Sequence, residues 1–423
     1  MAIDLADRLT VITGDNGVGK SFLLEVAWWA LTRSWAGPAA LPNEGAEHRA
    51  RINYSLDGRT GVVNNEVDFD AKRQDWIHGR GRPSIPGFVV YARVDGSFAV
   101  MDPARNDSPD DVKEGERRRR PTAFYFDPSQ VWSGLAENGV PLCNGLIDDW
   151  RVWQLEGKEE YAALTRSLAL LSPDPGERLE PGPPRRLDVL DSREIPTLRM
   201  PYGDVPITHT SAAIKRILAL AYLLVWGWHE HRAASRLLGE PPSDRVTLLI
   251  DEVEAHLHPR WQRVILPALL ETLSSLGAPK DSQVICVTHS PLVLASLEGR
   301  WDRDADRLFT LDLAAPDRYP RDIELQQAQW QTLGDVNTWL TSEIFDLAQP
   351  RSVEAEHVIQ RAREVMQAPG ARVGALGEIV AELAKHVSDT DPLLGRLEAL
   401  ATLEGEDLHL LRNSDALASS EEQ

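Results

Sequence analysis

Gly14-Asp15-Asn16-Gly17-Val18-Gly19-Lys20-Ser21 is the stretch on which the fold turns. It fits G-x-x-x-x-G-K-[ST] in full. Glycines at that spacing let the backbone wrap an anion with its N–H groups. The loop feeds a helix N-terminus, whose partial positive charge favours a phosphate. Lys20 then reaches the β- and γ-phosphates of a nucleotide, and the Ser21 hydroxyl ligates Mg²⁺. Chance supplies on the order of 0.003 such matches in a chain of this composition. The flanks agree. Residues 9–13 are a short apolar run that reads as a strand. Residues 20–34 read as a helix with Phe22, Leu23, Val26, Ala27, Ala30 and Leu31 on one stripe.

The partner of such a loop is an acidic strand end. Val246-Thr247-Leu248-Leu249-Ile250-Asp251-Glu252 is an apolar run closed by two carboxylates. Asp251 suits the metal, and Glu252 suits a general base that polarises the attacking water. A second apolar run, 284–288, leads into Thr288-His289-Ser290-Pro291. His289 is placed to sense the γ-phosphate or orient the water, with a turn-capping histidine as the bland alternative. Continuous apolar runs of this length are buried strands of a parallel sheet, and a helix over 259–276 lies between them.

The remaining chain sorts by period. Between 50 and 101 apolar residues alternate, as in Ile52, Tyr54 and Leu56, so a small antiparallel region is expected as an insertion at about 44–121. Its end, 102–121, is highly charged and includes Arg117 to Arg120; it reads as a solvated loop, with a nucleic-acid or protein contact as the alternative. A helical region is expected at about 129–205, including 146–171, interrupted by a Pro/Gly-rich connector at 172–186. Residues 211–232 read as a long helix and 308–313 as a further strand. An acidic helical extension fills 331–423.

Composition sets outer bounds. With 423 residues, 42% hydrophobic and 26% charged, the chain is globular. A net charge of −20 disfavours sequence-independent nucleic-acid binding and leaves a local basic groove open. Two cysteines, Cys143 and Cys286, cannot form a disulfide framework, so a reducing cytoplasm is expected. The longest nearly apolar run, 217–228, is far short of the roughly 20 residues of a membrane span, so no membrane role is expected. Trp226 and Trp228 read as packing rather than base-stacking residues.

Taken together, the phosphate loop, Ile250-Asp251-Glu252-Val253-Glu254-Ala255-His256-Leu257-His258-Pro259 and Thr288-His289-Ser290 resemble ABC-type ATPases outside the transporters. The likeness is to the SMC/RecF/OLD-like branch, often labelled "AAA family", and to ATPase subunits of prokaryotic anti-phage defence systems such as Septu. The Walker B pattern of that branch, D-E-P-E-x-x-L-H-P, is matched except at Val253. The resemblance implies an α/β P-loop NTPase fold of ABC-ATPase type. The head would occupy 1–330, with a β-containing insertion and a helical C-terminal extension.

The resemblance also implies a signature loop before Walker B, here Thr210-Ser211-Ala212-Ala213. Ser211 would touch the γ-phosphate of ATP held by a second copy, in a head-to-tail homodimer. Ala213 stands where the family has glycine, which bears on dimer closure. A Mg²⁺-ligating glutamine is implied after a core strand, and Gln130 is the candidate. His256 and His258 fall in the loop that lines the family's dimer interface, so they read as interface residues rather than metal ligands. Asp302-Arg303-Asp304 has Toprim-like spacing but follows the switch strand directly, and the tail shows no HNH-like cluster. A nuclease, or another effector, is therefore expected as a separately encoded partner. A nucleotide-sensing scaffold with little hydrolysis and a DNA-clamping repair ATPase are the alternatives.

Overall fold

The computed structural model describes residues 1–43, 50–58, 61–77, 86–106, 120–174, 176–279, 282–314, 322–367 and 375–403. The charged segment 107–119, with Arg117 to Arg119, lies outside the described residues, as do 44–49 and 404–423. The chain divides into two compact units, Met1–Val336 and Asn337–Gln423.

In the first unit, β1 (Leu9–Gly14) leads to α1 (Lys20–Thr32). Then come β2 (Arg51–Gly58), β3 (Gly61–Asp70) and β4 (Asp75–Ile77), which form an antiparallel sheet of their own. Next are β5 (Phe88–Ala92), β6 (Phe98–Met101), β7 (Phe124–Phe126), α2 (Pro128–Ser133), β8 (Leu135–Glu137) and β9 (Val140–Cys143). Two helices, α3 (Leu146–Glu156) and α4 (Glu159–Leu170), precede a second antiparallel sheet of β10 (Glu180–Arg186), β11 (Glu194–Met200) and β12 (Gly203–Pro206). The long helix α5 (Ala212–Leu238) follows. The unit closes with β13 (Val246–Ile250), α6 (Pro259–Gln262), α7 (Ile265–Ser275), β14 (Gln283–Val287), α8 (Pro291–Ala295), β15 (Asp306–Leu313) and β16 (Ile323–Ala328).

The main sheet has the order β16-β15-β1-β14-β13-β5-β6-β7. Its centre, β15-β1-β14-β13-β5, is parallel, and both flanks are antiparallel. This is the P-loop NTPase fold of ABC type expected from the motifs. β1 is buried, with a hydrogen-bonded strand on each side and α1 packed against it, in keeping with its continuously apolar sequence.

Several expectations need correction. The segment 50–101 is not one inserted sheet. Only β2–β4 stand apart, whereas β5 pairs in parallel with β13 and is buried along its whole length. Phe88-Val89-Val90-Tyr91-Ala92 has no polar residue to face water, and this separates it from the alternating strands before it. Residues 129–205 are only partly helical. The Pro/Gly-rich connector at 172–186 ends in β10, whose prolines sit at a register shift beside Gly182. The helix expected over 146–171 breaks at Gly157, which takes a left-handed conformation. The helix expected over 259–276 is split between α6 and α7.

The stripe expected on α1 also shifts. Phe22 is 50% exposed, and the deepest residues are Leu24, Trp28 and Trp29. Neighbouring helix residues point about 100° apart, so Trp28 and Trp29 serve two different cores. Trp28 packs with Ile12, Tyr91, Leu249 and Ile285 under the main sheet. Trp29 packs with Val67, Phe69 and Trp76 and so fixes the β2–β4 sheet to the phosphate-loop helix. Burying an indole of about 200 Å² removes some 4–6 kcal/mol of apolar exposure at 25 cal/mol per Å².

α5 is buried almost all round between Ile217 and Trp228, as a central helix must be. Among the described residues no helix is long and apolar enough to cross a membrane.

α9 (Val336–Leu340) lies at the division between the units. The second unit contains α10 (Val353–Gln367), α11 (Ala375–Leu383) and α12 (Pro392–Leu403). They share a small core that includes Val358, Ile359, Leu376, Leu383, Leu394 and Leu397. Arg351 and Asp391 form a paired ion bridge at its margin.

Candidate nucleotide site

The parallel register brings four strand ends to one edge. Ile12 pairs with Val287, Cys286 with Ile250, and Ile250 with Ala92. Ligands of open α/β sheets bind at such carboxyl ends.

Gly14, Gly17 and Gly19 all have positive φ, which side-chain-bearing residues resist. At Gly14 a Cβ would also lie 2.1 Å from the Leu311 carbonyl oxygen, so glycine is obligatory there. α1 begins at Gly19 with no side-chain cap and no acidic residue in its first turn. Its leading N–H groups therefore face the loop as anion donors. Lys20 is only 5% exposed, and its Nζ donates to the carbonyls of Gly14, at 2.9 Å, and Asp15. Burial pulls its pKa down, against the attraction of Glu252, Asp15, Asp312 and Asp251.

Ser21 and Asp251 meet directly, with Oγ donating to Oδ1 at 3.1 Å. Asp251 is 2% exposed, and burial raises its pKa; the Ser21 bond, Arg216 and Arg93 act in the other direction. A buried carboxylate beside a hydroxyl is a hard-oxygen pair that suits Mg²⁺.

Glu252 has φ 46°. That left-handed geometry costs a residue other than glycine about 1–3 kcal/mol unless its surroundings enforce it. Arg216 supplies the enforcement. Its Nη2 donates to the carbonyls of Asp251 (3.0 Å) and Glu252 (3.2 Å), and its Nη1 to those of Val94 (3.0 Å) and Arg93 (3.4 Å). One guanidinium on α5 thus grips the ends of β5 and β13 together. The sequence offered no signal for this: Lys215-Arg216 at a helix start reads as solvent-facing charge.

The His289 Nε2 lies 3.9 Å from the Glu252 Oε1, close enough for mutual attraction but too far for a direct hydrogen bond. Burial lowers the His289 pKa, and Lys20 lowers it further, against the pull of Glu252 and Asp15. Behind it, Glu254 accepts from the Thr288 hydroxyl (2.8 Å) and the His289 N–H. Glu254 stands inside the quoted Walker B stretch, but its role was not legible there.

Arg93 emerges beside Asp251 from the neighbouring strand. It pairs with Glu25 of α1 at 3.2 Å, and Glu25 also accepts from the Gly37 N–H. Burial raises the Glu25 pKa, and Arg93 counters it.

Other expected residues fall elsewhere. Gln130 does not join the cluster. It follows β7, three strand spacings or about 14 Å across the sheet from β13. Its side chain accepts from the Asp127 N–H and completes a capping box on α2. The strand next to β13 is β5, and the turn after it, Arg93-Val94-Asp95-Gly96-Ser97, contains no glutamine. Ser211 caps α5, its Oγ accepting from the Ile214 N–H at 3.3 Å, and it is exposed. Among the described residues no hydrogen bond joins it to the phosphate loop of its own chain. His258 caps α6 through Nδ1, and His256 adopts a left-handed turn conformation.

Comparison with known proteins adds relatives to this geometry. Residues 232–295 match the family model described as "AAA domain, putative AbiEii toxin, Type IV TA system". The retron Ec83 probable ATPase of Escherichia coli is 25% identical over 152 residues, 36% of this chain and 24% of that protein. The retron Vc95 probable ATPase of Vibrio cholerae serotype O1 biovar El Tor is 44% identical over 50 residues, 12% of this chain and 9% of that one. The chain thus spans a quarter or less of these relatives. Among solved structures, the SMC head domain from Thermotoga maritima is similar over 78% of this chain and 93% of its own, at 15% identity and a TM-score of 0.35. The recombination mediator RecF is similar over 73% and 91%, at 14% identity and a TM-score of 0.32. The motifs and their placement on one sheet edge define a P-loop fold of ABC type, and part of the chain is similar in sequence to retron probable ATPases.

Arg216→Ala removes the donors for four carbonyls and the restraint on Glu252. It is expected to destabilise the chain by about 2–3 kcal/mol in urea unfolding, with Arg216→Lys intermediate. A loss below about 0.5 kcal/mol would contradict the restraint.

Proposed function

We propose that the chain binds Mg·ATP along residues 14–21 and hydrolyses it to ADP and phosphate. The observation that carries this reading is the convergence of Ser21, Asp251, Glu252 and His289 on one strand edge beside Lys20. Lys20 would exchange its two loop carbonyls for the β- and γ-phosphates, an exchange favoured because a buried ammonium gains more from an anion than from neutral oxygens. Bound Mg²⁺ would be held by Ser21 and Asp251 and would offset phosphate charge. Glu252 takes a proton from the water that attacks the γ-phosphorus, and His289 orients that water by hydrogen bonding.

Two copies assemble head to tail, so that the partner's Ser211 meets the γ-phosphate. The exposure of Ser211 and its place at the N-terminus of a 27-residue helix support this reading, since that end of the helix dipole favours an anion. ATP then favours the closed dimer by binding it better than the open chains, and hydrolysis releases it. Gln130 is not retained as a metal ligand.

The likeness to the retron ATPases supports a role in prokaryotic defence, with a separate effector protein gated by the dimer. A nuclease is the leading candidate for that effector. Affinity capture from the native host should return the chain with one effector at near-equal amounts. Recovery of the chain by itself, with and without ATP, would sink this part of the proposal.

Phosphate release tests the chemistry. Glu252→Gln should lower turnover by about 10²–10⁴-fold while retaining nucleotide, and Lys20→Ala should lose nucleotide binding. A wild-type protein no faster than Glu252→Gln would instead identify a nucleotide-gated scaffold.

A further inference from the structure

The turn carrying His289 is fixed by a half-buried carboxylate that has no part in the proton transfer itself. Glu254 lies two residues beyond the base Glu252. Its Oε2 accepts from the Thr288 hydroxyl at 2.8 Å, and its Oε1 accepts from the His289 N–H. The rest of the turn is equally committed. The Ser290 N–H donates to the Thr288 Oγ1 at 3.1 Å, and the Ser290 hydroxyl donates to the Gln262 Oε1 at 2.7 Å. The Ser290 Oγ also caps α8 by accepting from the Val293 N–H. Below the turn, β14 is anchored in the sheet, with the Thr288 N–H on the Ile12 carbonyl at 3.1 Å.

A carboxylate is a costly group to desolvate even in part for the sake of a turn that hydroxyls and amides can close. Burial pushes the Glu254 pKa upward, against its bonds to His289 and Thr288. What a carboxylate offers is two strong coplanar acceptors on one rigid group. With both engaged, the backbone of His289 cannot rotate about the strand axis, and its imidazole is aimed at Glu252, 3.9 Å away. A misplacement of about 1 Å in such a group can cost about 10²-fold in rate.

We infer that Glu254 is the positioning residue for His289, acting on hydrolysis through the Thr288-His289 turn rather than on nucleotide binding. This rests on the hydrolytic reading above.

The test is a double-mutant cycle read by single-turnover hydrolysis, with fluorescent-nucleotide affinity measured alongside. Glu254→Ala should slow hydrolysis by about 10–100-fold and change affinity by less than about twofold. Glu254→Gln, which keeps the shape and one carbonyl acceptor, should fall between Glu254→Ala and wild type and stands in if the alanine variant misfolds. In a His289→Ala background either substitution should change the residual rate by less than about twofold. Equal losses in both backgrounds, a loss of affinity that accounts for the slowing, or an unchanged rate would each overturn the inference. If His289→Ala sits at the no-enzyme rate, Thr288→Val decides. Combined with Glu254→Ala it should be no slower than Glu254→Ala alone, and an additive loss overturns the inference. A wild-type protein without hydrolysis overturns both this inference and the hydrolytic reading, whereas an active wild type with additive losses removes only the role of Glu254.

Discussion

Everything at the nucleotide edge depends on β14 being hydrogen-bonded in parallel between β1 and β13. That ladder sets the phosphate loop, the acidic strand end and the His289 turn side by side. A slip of one residue would turn the side chains of a strand to the opposite face. Both faces of all three strands are buried, so a slip would draw the polar residues at their ends, such as Glu252 and His289, toward the core. The Val253 N–H donates to the Val287 carbonyl and the Thr288 N–H to the Ile12 carbonyl, which continues the hydrogen bonding past the ends of β13 and β14.

Charge is the second constraint. Asp251, Glu252 and Glu254 crowd within four residues, and burial disfavours ionisation of Asp251 and Glu254. The chain offsets this with Lys20, Arg93 and Arg216, each arriving from a different element: α1, the end of β5 and α5. Arg216 is spent on backbone carbonyls, and Arg93 is matched by Glu25. Lys20 is held by the carbonyls of the phosphate loop itself, so it is the cation placed to be drawn to a phosphate. The same arrangement joins α5, which begins at Ser211, to the backbone of the base Glu252 within one chain.

Much of this was legible in the sequence because it is local. The phosphate loop requires glycines at fixed positions, and buried parallel strands require short continuous apolar runs. Lys20, Ser21, Asp251, Glu252 and His289 could therefore be named and are brought together. Gln130 failed because choosing it required strand order. β7 and β5 both precede turns with polar residues, and nothing local in either says which one neighbours β13. The assignment of Phe88–Ala92 to the insertion failed for the same reason, since its partner lies far along the chain. Arg216 was missed because its partners are backbone carbonyls, and Glu254 because its partners, the Thr288 hydroxyl and the His289 N–H, lie more than thirty residues along the chain.

The central claim is that ATP is read between two copies of this chain, and solution mass tests it most directly. Glu252→Gln, measured by light scattering with and without Mg·ATP, should shift from monomer to dimer only when nucleotide is present. A monomer under both conditions, with nucleotide demonstrably bound, would contradict the account and leave Ser211 without a role in a partner's site.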